Sequence, residues 1–373
     1  MTDMAMEKAP AAGRSLWADA WSRLKANKAA FWSGIYIVVM AVVCIAGPWF
    51  TPHEFTTIYQ DYTRVPPSLS SYPKPEMIDQ AVKDAVKRSR AELSGWEEVA
   101  GKIKMTVTSA KPIDERMTRY IDRSSVFENA VVEEKSDDGM KLVISADVER
   151  LHFYFGTDTI GRDLLTRTLI AGRVSLAIGL LAGLVAVVIG VLYGATAGFM
   201  GGKTDEVMMR IVDILYSLPF IFFVIMLVVF FGRNFVLMFL AVGAVLWLDM
   251  ARIVRGQALS IRRQEYVQAA EALGVTRGGI LLRHVVPNLL GPVVIYMTLL
   301  VPQVIILESF LSYLGLGVQE PMSSWGVLIS QGSKNMPGAN WLLFFPSFFL
   351  TTTLFALNFI GDGLRDALDP KDR

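Results

Sequence analysis

Gly202-Lys203-Thr204 matches the last three positions of a phosphate loop, where backbone N–H groups and a lysine cradle nucleotide phosphates. The glycine that should open that pattern would be residue 197, which is Ala197, and the tripeptide follows an apolar run where the motif needs a strand. The chain is therefore expected to bind no nucleotide. His53, His152 and His284 lie in separate segments without ligand spacing, so no metal site is expected. HExxH, GxSxG and paired carboxylates on one element are all missing from the sequence, so it nominates no catalytic residue and no cofactor-binding residue.

The remaining polar chemistry is sparse. Asp158, Arg162 and Asp163 stand close together ahead of an apolar run, in a turn-rich entry where Gly156, Asp158 and Gly161 are able to cap the run after them. They are read either as structural capping groups or as a fixed polar cluster at the outer mouth of a pathway, with Glu308 a further mouth candidate. Gln303, Thr298, Ser217 and Asn358 are the other polar groups in or beside apolar runs. Such groups nominate a pathway, although hydrogen bonding between helices is the commoner use of Ser and Thr.

The elements that must hold these residues are mostly membrane spans. The chain has 373 residues, 53% of them hydrophobic and 19% charged, too apolar for a soluble domain. Met1 to Ala30 is net basic and places Trp17, Trp21 and Leu24 at i, i+4 and i+7, as in an interfacial helix on membrane lipid, with Asp19 and Arg23 a possible pair. Phe31 to Phe50 is an uncharged run long enough to cross a bilayer, and is read as a retained first span and not a cleaved signal. Further spans are read at Val174–Gly202, Ile214–Gly232 with Pro219 as a kink, Asn234 past Asp249, Val285–Leu307 and Trp341–Ile360. The small residues Gly179, Gly183, Gly190 and Gly194 suit close helix approach. Asp249 is expected either to lie near the inner interface or to pair with Arg252 or Arg255, a structural pairing being favoured over a proton relay.

About half of all charged residues fall between Glu54 and Asp158, so residues 51–156 form a separate aqueous part. Ile78, Ala81, Val82, Ala85 and Val86 have helical spacing, whereas Ile103, Met105 and Val107, and Leu142, Ile144, Ala146 and Val148, alternate as strands do. Asp137-Asp138-Gly139 supplies a turn before the second strand. The mixed charges read as a solvated face. The lone Cys44 lies in an apolar run and cannot form an internal disulfide.

Between two apolar runs lies the polar island EYVQAAEALGVTRGGILLRHVVPN, Glu265 to Asn288. Arg252, Arg255, Arg262 and Arg263 precede it, which by the positive-inside rule places it in the cytoplasm. Tyr266, Ala269, Ala270 and Leu273 are expected to form an apolar face while Glu265, Gln268 and Glu271 stay wetted. Gly274 ends that helix, and a second helical run passes through Ile280, Leu281, Arg283 and His284 to Pro287.

QAAEALG, VTRGGILLR and HVVPN together resemble the EAA motif of permease subunits of bacterial ABC importers, with Gln268 where the usual glutamate stands. FGTDTIGRDLLTRTLIAGRVSL and the tail GDGLRDALDPKDR resemble the oligopeptide and dipeptide branch, its second permease. The resemblance spans about Ser15 to Phe50 and Phe155 to Arg373, with the charged segment added to the usual pattern. It implies an all-α polytopic membrane protein of six transmembrane helices, the type I ABC importer permease fold, here carrying a small α+β extracytoplasmic insert. The organisation it implies is a cytoplasmic segment 1–30, a first helix 31–50, a periplasmic insert 51–156, and a core 157–373 with five helices and a coupling loop 261–287. It implies a multi-pass protein of the bacterial inner membrane with both termini cytoplasmic. The implied partners are a homologous second permease in a heterodimer, one or two ATPase subunits that bind ATP and Mg, and a periplasmic peptide-binding protein; nucleic acid is not among them. Glu265, Tyr266, Gln268, Ala269, Ala270, Glu271, Gly274, Arg283 and Pro287 would couple to the ATPase. An ion-coupled transporter or channel acting alone is the alternative, and would call for membrane-embedded carboxylates or an inverted repeat; a membrane-anchored sensor would leave most of the spans unexplained.

Overall fold

The computed structural model describes residues 16–88, 91–99, 101–232 and 235–368. In chain order they form α1 (Leu16–Ala26), α2 (Lys28–Ala46), α3 (Pro75–Arg88), β1 (Glu92–Val99), β2 (Lys102–Thr108), α4 (Thr118–Ile121), β3 (Phe127–Lys135) and β4 (Lys141–Val148). The rest is helical: α5 (Leu164–Met200), α6 (Gly202–Ser217), α7 (Phe220–Phe231), α8 (Phe235–Ile261), α9 (Glu265–Ala272), α10 (Arg277–Ile280), a π-helical turn (Leu281–Val285), α11 (Val286–Tyr313), α12 (Trp325–Lys334) and α13 (Trp341–Leu368). The chain divides into two compact units. One takes residues up to Val42, Arg173–Glu320 and from Phe349 on, and the other takes Val43–Gly172 and Pro321–Phe348.

Four stretches among the described residues are long and apolar enough to cross a membrane: Lys28–Trp49, Leu164–Met200, Arg277–Tyr313 and Trp341–Leu368. The sequence placed the second of these from Val174, but the helix starts at Leu164, where the Asp163 carboxylate accepts the Thr166 N–H at 2.8 Å and caps it. The expected span Ile214–Gly232 is not one helix. Pro219 pushes Leu218 into extended backbone (φ −75°, ψ 134°), so α6 stops there. The chain then turns through 87° into α7, and the bent pair counts as a fifth crossing only if it is one span. α8 runs past Asp249 to Arg252 and Arg255 as the sequence predicted. α1 forms where an interfacial helix was expected, but the side chains of Trp17 and Asp19 lie outside the described residues. The tail's last five residues, DPKDR, also lie outside them.

In the first unit, α5 and α8 approach with almost no side chain between them. A Cβ on Gly194 would collide with the Ala251 carbonyl, one on Gly190 would meet Met250, and one on Gly198 would stand 2.6 Å from the Arg255 carbonyl. Gly179 turns instead toward Ile305 of α11. The glycine repeat read from the sequence therefore serves two partners.

In the second unit a four-stranded antiparallel sheet of order β1-β2-β4-β3 packs against α3. Ile103, Met105 and Val107 of β2 and Leu142, Ile144 and Ala146 of β4 are buried on one face together with Ile78, Val82, Ala85 and Val86 of α3. Charged cross-strand pairs, Lys102 with Asp147 at 3.2 Å and Lys104 with Glu133 at 2.7 Å, occupy the wet face. β1 and β3 escaped sequence reading because their side chains stay mostly exposed and lack clean alternation. Elsewhere in this unit α12 occupies part of what was expected to be loop, capped by the Ser324 hydroxyl at 3.2 Å from the Val327 N–H.

Gly194→Leu is expected to force α5 off α8 and lower stability by about 1–3 kcal/mol, as overpacking does. Gly183→Ala is expected to be nearly neutral, because its Cβ would meet Val301 at an ordinary 3.5 Å. Thermal unfolding of the detergent-solubilised variants checks both.

Candidate functional site

The polar island folds into two helices joined at a rigid bend. α9 starts after Gln264, which is extended (φ −75°, ψ 144°), and its first-turn Glu265 suits the positive end of the helix dipole. At its other end the Val275 N–H donates to the Ala270 carbonyl at 3.1 Å and the Gly274 N–H to the Glu271 carbonyl at 3.0 Å. This paired pattern is a Schellman closure, which needs a left-handed residue, and Gly274 has φ +78°. Thr276 then caps α10, its hydroxyl accepting the Gly279 N–H at 3.3 Å. Pro287 removes the amide that the Arg283 carbonyl would accept in an α-helix, and the chain passes the preceding residues as a π turn before α11 continues.

The inner face of this pair differs from the one expected. Val267, Ala270, Ile280 and Val285 are buried against Ala195 and Phe199 of α5 and Met250, Val254 and Ala258 of α8. A two-turn helix buries one i, i+3 pair, here Val267 and Ala270. Tyr266, Ala269 and Leu273, expected to share that face with Ala270, turn outward, Leu273 being 83% exposed. Glu265, Gln268, Glu271, Arg283 and Pro287 are exposed as well. The Gln268 side-chain amide donates to the Arg263 carbonyl at 3.3 Å. Beside the bend, Phe199, Met200, Arg262, Glu271, Val275 and Arg277 line a cleft of about 310 Å³.

The arginines ahead of the island do not take Asp249 as partner. Arg255 binds Asp205 of α6 through two nitrogens, at 2.5 and 2.6 Å, and Arg252 reaches Asp213 of α6 at 2.8 Å. Helix α6 presents these carboxylates along its length, which sequence proximity could not reveal. The Gly202-Lys203-Thr204 segment opens α6 directly after helix α5, with no strand before it.

In the second unit, three of the four mouth candidates come together. The Asp158 carboxylate accepts the Ile160 and Arg162 N–H groups at 3.0 and 2.9 Å, the Arg162 Nε at 2.8 Å, and Nη1 of Arg167. Arg167 is only 1% exposed and Asp158 only 4%. Burial pushes the Asp158 pKa upward, but Arg167, Arg162 and the hydrogen bonds outweigh it and hold the group below the usual carboxylate value. Asp163 goes the other way: burial raises it, despite its capping bonds to Thr166. His53 lies in the same region, bonded to the Tyr59 hydroxyl and the His152 carbonyl, both at 2.9 Å, and stacked on Phe153. Sequence reading passed over Arg167 as a partner, although its nine-residue offset from Asp158 across a helix start was the available signal. Glu308 belongs to the first unit, fully buried on α11, and accepts the Ser312 hydroxyl at 2.6 Å.

Several membrane-length helices, with a bent helix pair fixed against two of the long helices from one side, define a multi-pass membrane protein. Residues 176–373 match the family described as binding-protein-dependent transport system inner membrane component, and the chain belongs to that family. Residues 15–67 match the N-terminal TM domain of oligopeptide transport permease C. The oligopeptide transport system permease protein OppC of Escherichia coli K12 is 62% identical over 227 residues, 61% of this chain and 75% of that one. The dipeptide transport system permease protein DppC of Lactococcus lactis subsp. cremoris is 31% identical over 370 residues, 98% of this chain and 93% of that one. That match runs through the charged segment, whereas the Escherichia coli match covers only 61% of this chain. A solved structure, inward-facing conformations of the MetNI methionine ABC transporter, aligns with a TM-score of 0.45 at 19% identity, covering 52% of this chain and 93% of that one.

Asp158→Asn is expected to destabilise by about 3–5 kcal/mol, because it strips a buried guanidinium of an ionised partner. Asp163→Asn keeps a capping oxygen and is expected to change stability by less than about 1 kcal/mol. The pH dependence has opposite signs at the two sites. Asp158, with its folded value below the ordinary 3.8, contributes stability present above that value and lost as pH falls through the depressed one. Asp163, with its folded value raised, contributes in full below 3.8 and loses this contribution as pH rises from there through the raised value. Melting curves of both variants across acidic pH measure these differences.

Proposed function

We propose that this chain is the second permease subunit of an ATP-driven importer of oligopeptides or dipeptides, in the bacterial inner membrane. The observation that carries the reading is the bent helix pair of a binding-protein-dependent family member, anchored inward by Val267, Ala270 and Ile280 and presenting Tyr266 and Leu273 outward. A rigid, partly apolar protrusion of this kind suits a groove on an ATPase subunit. The named oligopeptide and dipeptide permease relatives support the substrate class.

In this reading α2, α5, the bent pair α6–α7, α8, α11 and α13 make six spans of the type I permease fold. Both termini and the coupling loop 261–287 face the cytoplasm, and the sheet-bearing segment 51–156 faces the periplasm. A homologous permease completes the pathway as a heterodimer, a periplasmic binding protein delivers peptide, and one or two ATPases bind ATP and Mg. This chain is non-catalytic and holds no cofactor. Closure of the ATPases pushes on Glu265, Tyr266, Gln268, Ala269, Ala270, Glu271, Gly274, Arg283 and Pro287, and the attached spans swing between inward and outward cavities. Force reaches the membrane along one helical path from Arg277 to Tyr313, which passes through the π turn at Leu281–Val285. Asp158, Arg162 and Asp163 stand at the outer mouth as fixed polar groups.

Gly274→Val is expected to uncouple peptide-stimulated ATP hydrolysis from uptake while the complex still assembles. No neighbouring atom crowds the site, so the effect comes from φ, about 1–2 kcal/mol against an L side chain in the left-handed region. Proteoliposome uptake and hydrolysis measured together test it. Normal coupling in the variant, or uptake that persists after removal of the ATPase, would overturn the reading; the latter would favour ion coupling.

A further inference from the structure

The sheet-bearing unit contains a surface cleft of about 650 Å³ lined by Ile58, Gln60, Arg88, Tyr120, Arg123 and Ser125. That volume lies in the range of small-ligand sites, roughly 300–1,000 Å³. We propose that this cleft binds the C-terminal carboxylate of a short peptide, giving the segment a substrate-capturing role. The peptide class rests on the importer reading above; the carboxylate preference rests on the cleft itself.

The Gln60–Tyr62 turn sends its three side chains in different directions. Tyr62 is fully buried in the aromatic cluster with Tyr59, Tyr72 and Phe153. Asp61 turns to the loop after α4, where one carboxylate oxygen accepts the Ser124 hydroxyl and the Ser125 N–H, both at 2.8 Å. Gln60 lines the cleft. The other Asp61 oxygen stands 3.6 Å from Arg88, a long contact with the last residue of α3. Arg123 lies over the Tyr120 ring at 5.8 Å and makes no ion pair among the described residues. The cleft thus carries two guanidinium groups against one carboxylate that is already shared.

A guanidinium fork matches a carboxylate through two parallel hydrogen bonds, a geometry that selects planar carboxylates. Gln60 offers an amide that can pair with a peptide group. Ile58, half exposed, and the Tyr120 ring, 42% exposed, give apolar surface for a terminal side chain. Charge, amide and apolar surface in one cleft match the three parts of a C-terminal residue. A free anion would use only the first.

The full-length chain in lipid nanodiscs, titrated calorimetrically with trialanine, its C-terminal amide and inorganic phosphate, tests the assignment. Saturable trialanine binding is expected, weakened about tenfold or more by amidation and by Arg123→Gln or Arg88→Gln. Arg123→Lys, which keeps charge without the fork, is expected to fall between. Both arginines are exposed, so melting temperatures of the variants should stay at the wild-type value. Equal binding of acid and amide, phosphate binding as tight as trialanine, or unchanged binding in both arginine variants would overturn the proposal. So would the absence of saturable binding to the wild type; peptide-stimulated ATP hydrolysis persisting in the assembled importer would then show that the importer reading stands without the cleft.

Discussion

Where Gly190, Gly194 and Gly198 of α5 meet α8, the glycines contribute no side chain and the helices close onto the Ala251 and Arg255 backbone and the first carbons of Met250 and Ala258. This spacing decides what can pack beneath the bend. Phe199 sits one residue beyond the last glycine, and Val254 and Ala258 face the same cluster from α8. Together they form a shallow apolar floor that accepts Val267, Ala270 and Ile280 and leaves larger neighbours outside. A bulky residue in the stripe would widen the helix pair and disturb the floor, so the position of the bend follows from helix packing well away from it. Without water-driven burial between spans, such close packing is a main source of helix association in lipid.

Much of this was legible in the sequence because it depends on local chemistry. Gly274 could be read as a helix stop, since a glycine after a periodic run has few other uses, and the alternation in β2 and β4 followed from burial of one sheet face. What escaped reading depends on distant partners. Asp205 and Asp213 look like ordinary surface carboxylates until α6 folds beside α8 and presents them to Arg255 and Arg252. The inward face of α9 was misassigned for a related reason. In an eight-residue helix with apolar residues on most sides, periodicity does not choose between faces, and the floor beneath makes the choice. Pro219 was correctly suspected, but a proline whose predecessor goes extended breaks the helix outright where neighbouring helices leave room for the turn.

The buried charges follow one rule. Asp158 can remain ionised out of water because Arg162, Arg167 and two backbone N–H groups surround it, whereas Asp163, facing mainly neutral donors, is pushed toward its protonated form. Two carboxylates five residues apart thus reach opposite states through their partners alone. The cluster holds the entry to α5 in a defined geometry, with the chain turning through Gly161 close against the Tyr59 backbone. This structural use and a place near a pathway mouth are compatible. A fixed ion pair contributes shape without offering a free charge that would trap some peptide side chains and repel others.

Gln268 sharpens the coupling argument. A glutamate there could reach a cation on a partner, but it could not donate to the Arg263 carbonyl as the Gln268 amide does. Gln268 gives up the charge of the usual glutamate and gains a bond that ties α9 to the segment before it. A coupling element works by transmitting displacement, and displacement is lost wherever the element bends. Stiffening the start of α9 with Gln268, its end with the Gly274 closure and the next helix with the Thr276 cap leaves little slack between the exposed face of the bend and α11. What that face presents is its shape and the exposed Tyr266 and Leu273.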